Sequence, residues 1–191
     1  PATPWESAGA ELDADDLEAL LAEPGVLGIG ELMNYPALIA GDSEMLRRAA
    51  LAGHRVADGH APGLRGPALN AYLLAGAQTD HETTSLDEAV EKVRRGMHLH
   101  LREGSSGHNL ADLAPLVTPV TSSQCSLASD DRHPEDLVRR GHMDHAVRVA
   151  IRAGIPALTA IRLATLSTAR KYGLRHLGAI APGYQADFFL T

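Results

Sequence analysis

Short apolar segments of the chain are repeatedly followed by side chains that can bind metals or move protons. In AQTDHETTSL, residues 77–86, an apolar lead-in is followed by Asp80, His81 and Glu82. The same layout recurs after four other apolar segments, whose polar followers are Glu31, His60, Arg102 with Glu103, and Asp130 with Asp131.

Four of these residues form a possible set of ligands for a divalent cation. Glu31, His60, His81 and Asp130 would supply two carboxylates and two imidazoles, a set that suits zinc, iron or manganese. A single histidine or aspartate at the end of a strand is more often a cap or turn residue than a ligand. Four in matching positions on successive segments favour a metal site, assembled from strands that are distant in sequence.

The segments that must position these residues alternate between strand and helix patterns. Short apolar runs predict five strands, within residues 25–32, 54–60, 77–81, 97–105 and 124–130. Helical patterns occupy residues 13–21, 42–51, 65–76, 85–96, 109–117, 134–154 and 156–173, and residues 178–190 predict a turn and a last strand. This alternation indicates an α/β fold with a parallel sheet. Active sites of such folds lie at the carboxyl ends of the strands. The polar residues that follow the strands are therefore predicted to lie together on this edge of the sheet, the functional rim.

Composition and charge exclude several classes of function. The formal net charge of −7 argues against nucleic acid as the main partner. Cys125 is the only cysteine, which excludes an internal disulfide and a cysteine-based zinc site and fits a reducing, cytoplasmic location. No apolar run approaches the roughly 20 residues of a membrane span, and residues 1–16 lack the features of a signal peptide. The chain starts without methionine and stops within an apolar β-like run, so we expect a fragment.

Five longer motifs carry a resemblance to a known family. They are GELMNYPALIAGD, DGHAPGLRGPALNAY, DHETTSLDEAVEKVRRGMHLHLREGS, SDDRHPEDLVRRGHMDHAVRVAI and GAIAPGYQADFFL, in this order. Along its whole length the chain resembles the adenine deaminases of the amidohydrolase superfamily. The resemblance implies a (β/α)8 TIM-type barrel with a small β-sandwich built from both chain ends. Residues 1–178 would form a C-terminal partial barrel of about five βα units, and residues 179–191 would begin the strand that returns into the sandwich.

The resemblance also implies an activity, a cofactor and partners. Enzymes of this family hydrolyse free adenine to hypoxanthine and ammonia. A binuclear Mn(II) or Fe(II) site is implied, with Zn(II) as an alternative, and the full-length protein would be a homo-oligomer. Adenine is the implied small-molecule partner, and neither nucleic acid nor a membrane is expected as one.

Roles for individual residues follow from the same resemblance. Glu31 would bridge two metal ions, and His60 and His81 would be the imidazole ligands. Asp130 would bind metal and accept the proton of the attacking water, while Asp131 would face the leaving amino group. The implied substrate contacts on the same rim are Glu82, Arg102, Glu103 and Ser105. The group that protonates the purine ring stays open, with Glu103 and Glu82 as candidates.

One departure from the family pattern concerns histidines. The family's first strand carries a His-x-His metal pair, which we expect upstream of residue 1 together with about three strands of the barrel. His98 and His100 form such a spacing in a later strand, where residues i and i+2 share a face. That pair could chelate a metal, but filling of the barrel or exposure to solvent is the favoured reading. The remaining histidines are predicted to be capping or surface residues: His133, His142, His145 and His176.

Other functions remain open at this level. The chain could belong to another amidohydrolase that opens a cyclic amide or amidine. It could also be a catalytically silent truncated fragment, because a barrel that lacks strands cannot close. A binding module without chemistry explains neither the carboxylates nor the histidines at the strand ends.

Overall fold

The computed structural model describes residues 7–190, which divide into two compact units, one ending at Glu82 and the other beginning at Thr83. The elements of the first unit are α1 (Ala14–Leu21), β1 (Gly28–Leu32), α2 (Tyr35–Ile39), α3 (Ser43–Ala50), β2 (Val56–Gly59), α4 (Gly66–Leu74) and β3 (Thr79–Asp80). Those of the second are α5 (Leu86–Arg94), β4 (His98–Arg102), α6 (Leu110–Leu113), β5 (Cys125–Ala128), α7 (Pro134–Arg140), α8 (Met143–Arg152), α9 (Ala157–Ala164) and α10 (Leu166–Lys171). All five strands predicted within residues 25–130 are present.

Strands β1 and β2 of the first unit pair in parallel, with Gly28 opposite Val56. Strand β3 continues beside β2, because the backbone N–H of Gln78 donates to the carbonyl of Ala57 at 3.0 Å. Apolar side chains of the strands and of the helices between them fill the core of this unit, including Leu32, Leu38, Ala57 and Leu69, each at most 3% exposed.

Local sequence explains where the helices of the first unit begin and end. The Asp13 carboxylate accepts from the N–H groups of residues 15 and 16 and so caps α1, and Asp42 accepts from Met45 N at 2.9 Å and caps α3. After α4, Gly76 adopts φ +111°, a left-handed conformation that suits glycine at a helix end.

In the second unit β4 and β5 pair in parallel, from Leu99 opposite Cys125 to Arg102 opposite Ala128. Helix α5 is capped by Ser85, whose hydroxyl accepts from Glu88 N. The Lys92 ammonium of this helix is fully buried and donates to Glu88 at 2.5 Å and to Thr83 at 2.9 Å. A buried lysine is tolerated because its charge is paired and hydrogen-bonded. The α/β class with parallel strands is therefore confirmed.

Several element boundaries differ from the sequence prediction. The helical pattern over 134–154 is compatible with one or two helices, and it forms two, since Gly141 adopts φ +97° between α7 and α8. The helix predicted over 156–173 divides at Thr165, where φ is −126° and ψ −89°. Residues 109–117 form one α-helical turn followed by a 3-10 turn, Ala114–Leu116, and the short helix α2 was not predicted.

The segment at residues 178–190 forms turns and extended backbone. Tyr184 N donates to Ala181 O at 3.1 Å, which confirms the predicted turn. The strand predicted after it is not formed, because residues 185–190 have no hydrogen-bonded strand beside them within the described chain. The assignment of this segment to a β-sandwich and the extent of a barrel domain over 1–178 stay predictions.

Within residues 7–190, no helix is both long enough and apolar enough to pass through a lipid bilayer.

Candidate metal centre

Three of the predicted metal ligands converge on one point in the first unit. Glu31 lies near the end of β1, and His60 and His81 directly follow β2 and β3. Glu31 Oε2 is 3.0 Å from His60 Nδ1 and 2.9 Å from His81 Nε2. The two imidazole rings stand edge to face, with their centroids 5.5 Å apart. One ligand atom from each residue lies within 4.8 Å of the other two, so the three side chains can share one cation.

Electrostatics keep the Glu31 carboxyl ionised. Partial burial alone would raise its pKa, but hydrogen bonds from His60 and His81 and attraction to their charge lower the pKa from 4.5 to about 2. The centre therefore offers a carboxylate at any physiological pH. Carboxylate with imidazole is a donor set typical of borderline divalent cations.

A buried tyrosine holds the ends of two of these strands together. The Tyr72 hydroxyl, on α4, accepts from the backbone N–H of His60 at 2.9 Å and donates to the carbonyl of Leu32 at 2.9 Å. The side chain is 0% exposed. Burial raises the pKa of the Tyr72 phenol above its usual value of 10, so the hydroxyl keeps its proton. Tyr72 thus links the residue after Glu31 to the backbone of His60.

Strand β3 is tied to β2 by side chains that flank His81. Thr79 Oγ1 accepts from Gly59 N at 3.0 Å and donates to Asp58 at 2.8 Å. Asp80 Oδ1 accepts from Ala61 N at 2.7 Å. The backbone N–H groups on either side of His60 are therefore held by side chains of β3. Asp80 turns inward to bind backbone, while the next residue, His81, reaches Glu31.

Glu82 is placed beside the two imidazoles. Its Oε1 is 3.5 Å from His81 Nε2 and 3.9 Å from His60 Nδ1. The resemblance assigned Glu82 to substrate contact, whereas this position makes it a candidate second acidic group of the metal centre. That assignment stays a prediction, as does the substrate role.

The remaining predicted ligand, Asp130, lies in the second unit, two residues after β5. Arg102 Nη1 is 2.8 Å from Asp130 Oδ2, with side chains 11% and 32% exposed. Asp130 adopts φ +51°, and within the described chain it is the one residue other than glycine with positive φ. Its place in the metal centre stays a prediction.

Other predicted rim residues of the second unit take part in local contacts. The Ser105 hydroxyl donates to Asp136 Oδ2 at 2.6 Å and accepts from His133 N at 2.8 Å, so it ties the loop after β4 to the start of α7. The hydrogen bond from Ser105 lowers the pKa of the Asp136 carboxyl. The Asp131 side chain is exposed, and its carbonyl accepts from Ser105 N at 2.8 Å.

Glu103 lies between two histidines. Its Oε1 is 3.2 Å from His108 Nδ1 and 3.5 Å from His145 Nε2. The His145 side chain is 14% exposed and therefore only partly open to solvent. His133 is exposed at the start of α7, in agreement with its prediction.

The second histidine pair forms a separate buried cluster in the second unit. His98 and His100 are 6% and 7% exposed, and neither faces solvent. Ser126 Oγ lies 2.9 Å from His98 Nε2 and 2.6 Å from His100 Nδ1. The ring of Tyr172 stacks on His100, with centroids 6.1 Å apart. The pair therefore fills a polar interior position of β4, the favoured reading of the sequence.

The sequence matches a protein-family model and several curated proteins. The amidohydrolase family model matches residues 10–191. Relatives named adenine deaminase include a protein of Methanoregula boonei, 49% identical over 191 residues, and one of Methylobacterium nodulans, 49% identical over 190 residues. A protein of Carboxydothermus hydrogenoformans named adenine deaminase 2 is 47% identical over 190 residues. Each alignment covers 100% of this chain but only 33–34% of the relative. The chain thus spans about a third of the length of the curated relatives it matches.

Proposed function

Because the chain belongs to the amidohydrolase family, whose members have a TIM-barrel fold, we propose that it forms part of a metal-dependent adenine deaminase. The observation that carries this proposal is the convergence of His60 Nδ1 and His81 Nε2 on one oxygen of Glu31. The names of relatives that are 47–49% identical over the whole chain support the substrate.

The residues fit a divalent cation. Two imidazole nitrogens and one ionised carboxylate meet within 4.8 Å, and Glu82 adds a second acid at their edge. In the hydrogen-bonded arrangement the nitrogens act as donors to Glu31, and the same nitrogens offer lone pairs once they release those protons. We propose Glu31, His60, His81 and Asp130 as ligands of a binuclear Mn(II) or Fe(II) site, with Zn(II) as the alternative.

The reaction adds water to C6 of adenine and expels ammonia, so one C–O bond forms and one C–N bond breaks. A bound divalent cation would supply a nucleophile at neutral pH by lowering the pKa of water from 15.7 towards about 7. Asp130 would accept the proton of the attacking water, and Asp131 would face the departing nitrogen. Glu82 and Glu103 are the candidates for protonating the purine ring, since each carries a carboxyl group on the rim.

Architecture and assembly complete the proposal. The five strands, with candidate residues at their carboxyl ends, are consistent with a C-terminal part of a (β/α)8 barrel. Residues 179–191 would continue into the β-sandwich, and the complete protein would be a homo-oligomer.

The test is an ammonia-release assay with adenine on the complete native protein that contains this sequence, supplied with Mn(II). We expect stoichiometric hypoxanthine and ammonia, and loss of both products with His81→Ala, because that variant removes one of the two imidazoles at Glu31. The matched control is His54→Ala, which removes an exposed histidine of the same unit outside the centre. Turnover of a cyclic amide with no turnover of adenine would refute the substrate assignment. Full activity of His81→Ala would refute the metal centre.

A further inference from the structure

The loop after β4 encloses an arginine that reaches the predicted proton acceptor. We propose that Arg102 is a positioning residue, which orients the Asp130 carboxylate and does not contact the substrate. This inference rests on the proposed function, since it assigns to Asp130 a role in the metal centre. It replaces the substrate contact that the resemblance implied for Arg102.

Strand register brings the two side chains together. Arg102 ends β4 and lies opposite Ala128 of β5, so Asp130 follows two residues beyond that pairing. The Arg102 Nη1 to Asp130 Oδ2 distance is 2.8 Å, a charge-assisted hydrogen bond. Oδ2 is thereby occupied, which leaves Oδ1 as the oxygen that can turn towards another partner.

The backbone of Asp130 needs such support. A φ of +51° is uncommon for residues other than glycine, although aspartate tolerates it better than most. Residues in sparsely populated backbone regions persist when surrounding contacts determine them, and they cluster at functional sites. The bond from Arg102 is a contact of this kind at the end of β5.

Arg102 is itself held by the loop REGSSGHN, residues 102–109. A Cβ atom at Gly107 would lie 2.5 Å from the Arg102 guanidinium carbon, so the guanidinium packs directly on the glycine backbone. Asn109 Oδ1 accepts from Arg102 N at 2.5 Å, and Asn109 N donates to Arg102 O at 3.0 Å. With 11% of its side chain exposed, Arg102 is enclosed by protein, which favours an inward structural contact over a substrate contact.

Enclosure and charge together explain what Arg102 does. Carboxylates that bind metals are commonly hydrogen-bonded by a second group, and loss of that group weakens metal binding or activity by about 10- to 100-fold. A guanidinium with a fixed direction selects one rotamer of Asp130. The predicted consequence is a lower kcat without Arg102, while substrate binding in the ground state is unchanged.

The experiment compares Arg102→Met and Arg102→Lys with the parent in the complete native protein. We expect Arg102→Met to lower the Mn(II) affinity, measured by electron paramagnetic resonance titration, or kcat with adenine by about 10- to 100-fold. The KM should stay within about twofold of the parent. Arg102→Lys should recover part of the loss, since it keeps the charge but not the planar geometry of the guanidinium. The matched control is Arg148→Met, which removes an exposed Arg–Asp pair of the same 2.8 Å length. It should leave all three quantities unchanged.

Asp130→Asn separates this inference from the proposed function. If Asp130→Asn abolishes turnover while Arg102→Met behaves as the parent, only the role of Arg102 is refuted. If Asp130→Asn retains Mn(II) affinity and kcat, the metal role of Asp130 and the inference both fail. In the double variant Arg102→Met/Asp130→Asn we expect no loss beyond Asp130→Asn alone, and additive losses would contradict a shared action.

Two further outcomes are informative. A rise of KM by tenfold or more in Arg102→Met with unchanged kcat would identify Arg102 as a substrate contact and overturn the inference. If Arg102→Met fails to fold, Gly107→Ala replaces it, because the added methyl group displaces the guanidinium and keeps its charge. Gly107→Ala should lower Mn(II) affinity or kcat in the same direction, and parent-like values would refute the inference.

Discussion

Replacement of Tyr72 by phenylalanine tests how the metal centre is held in place. The change removes one oxygen atom and leaves the ring packed in the core. That oxygen accepts from His60 N and donates to Leu32 O, both at 2.9 Å, in a side chain that is 0% exposed. Both backbone groups therefore lose their partner in a place that water does not easily reach.

The expected loss of stability follows from those two backbone groups. Each buried polar group left without a partner costs about 1–3 kcal/mol, so we expect Tyr72→Phe to lower the free energy of unfolding by about 2–6 kcal/mol. A typical domain has only about 5–15 kcal/mol in total, so the change is large. Mn(II) affinity should fall as well, because His60 loses the contact that fixes its backbone.

Urea denaturation followed by circular dichroism measures the first effect, and Mn(II) titration measures the second. Tyr35→Phe is the matched control, since Tyr35 packs edge-on against Tyr72 and its hydroxyl makes no hydrogen bond within residues 7–190. We expect that control to change stability by less than about 0.5 kcal/mol. A Tyr72→Phe protein as stable as Tyr35→Phe would refute the reasoning.

Three other predictions concern charge and burial. The lowered pKa of Glu31 means that its carboxylate stabilises the fold above pH 4.5 and that this stabilisation is lost as the pH falls towards about 2. Between pH 4.5 and about 2, the free energy of unfolding measured with urea should therefore fall by about 2 kcal/mol less in Glu31→Gln than in the parent. This figure is already reduced to allow for the solvent exposure of Glu31. Lys92→Met should cost about 3–5 kcal/mol because it breaks the buried ion pair with Glu88, and adding Glu88→Leu should recover most of the loss in thermal denaturation. Ser126→Ala should cost about 1–3 kcal/mol, since two buried imidazole nitrogens lose a shared partner, and an unchanged melting temperature would contradict it.

Much of the site could be located from local pattern. Strand ends are recognisable because apolar runs stop at polar residues, and parallel strands bring their carboxyl ends to one edge. That argument predicts that Glu31, His60 and His81 lie together, and in the structure they do. Asp130 was selected by the same argument, and its membership of the centre stays a prediction.

Tyr72 and Thr79 could not be found in this way. Tyr72 looks like one apolar residue among many on α4, and its partners are backbone atoms 12 and 40 positions away. Backbone donors and acceptors are the same at every position, so no residue type marks them as partners. The enclosure of Arg102 is hidden from the sequence for a related reason, because burial by its own loop depends on Gly107 and on a fold of the loop that pattern does not encode.

By itself the sequence determined the class of fold, the order of its strands and the types of side chain available at the strand ends. These properties depend on residues that are near neighbours along the chain, so local propensity and periodicity suffice. Only the tertiary structure decided that two imidazoles share one oxygen of Glu31, that its pKa falls to about 2, and that Arg102 turns inward to Asp130. Each of these depends on distances between groups far apart in sequence, and electrostatic and hydrogen-bond energies change steeply over a single ångström.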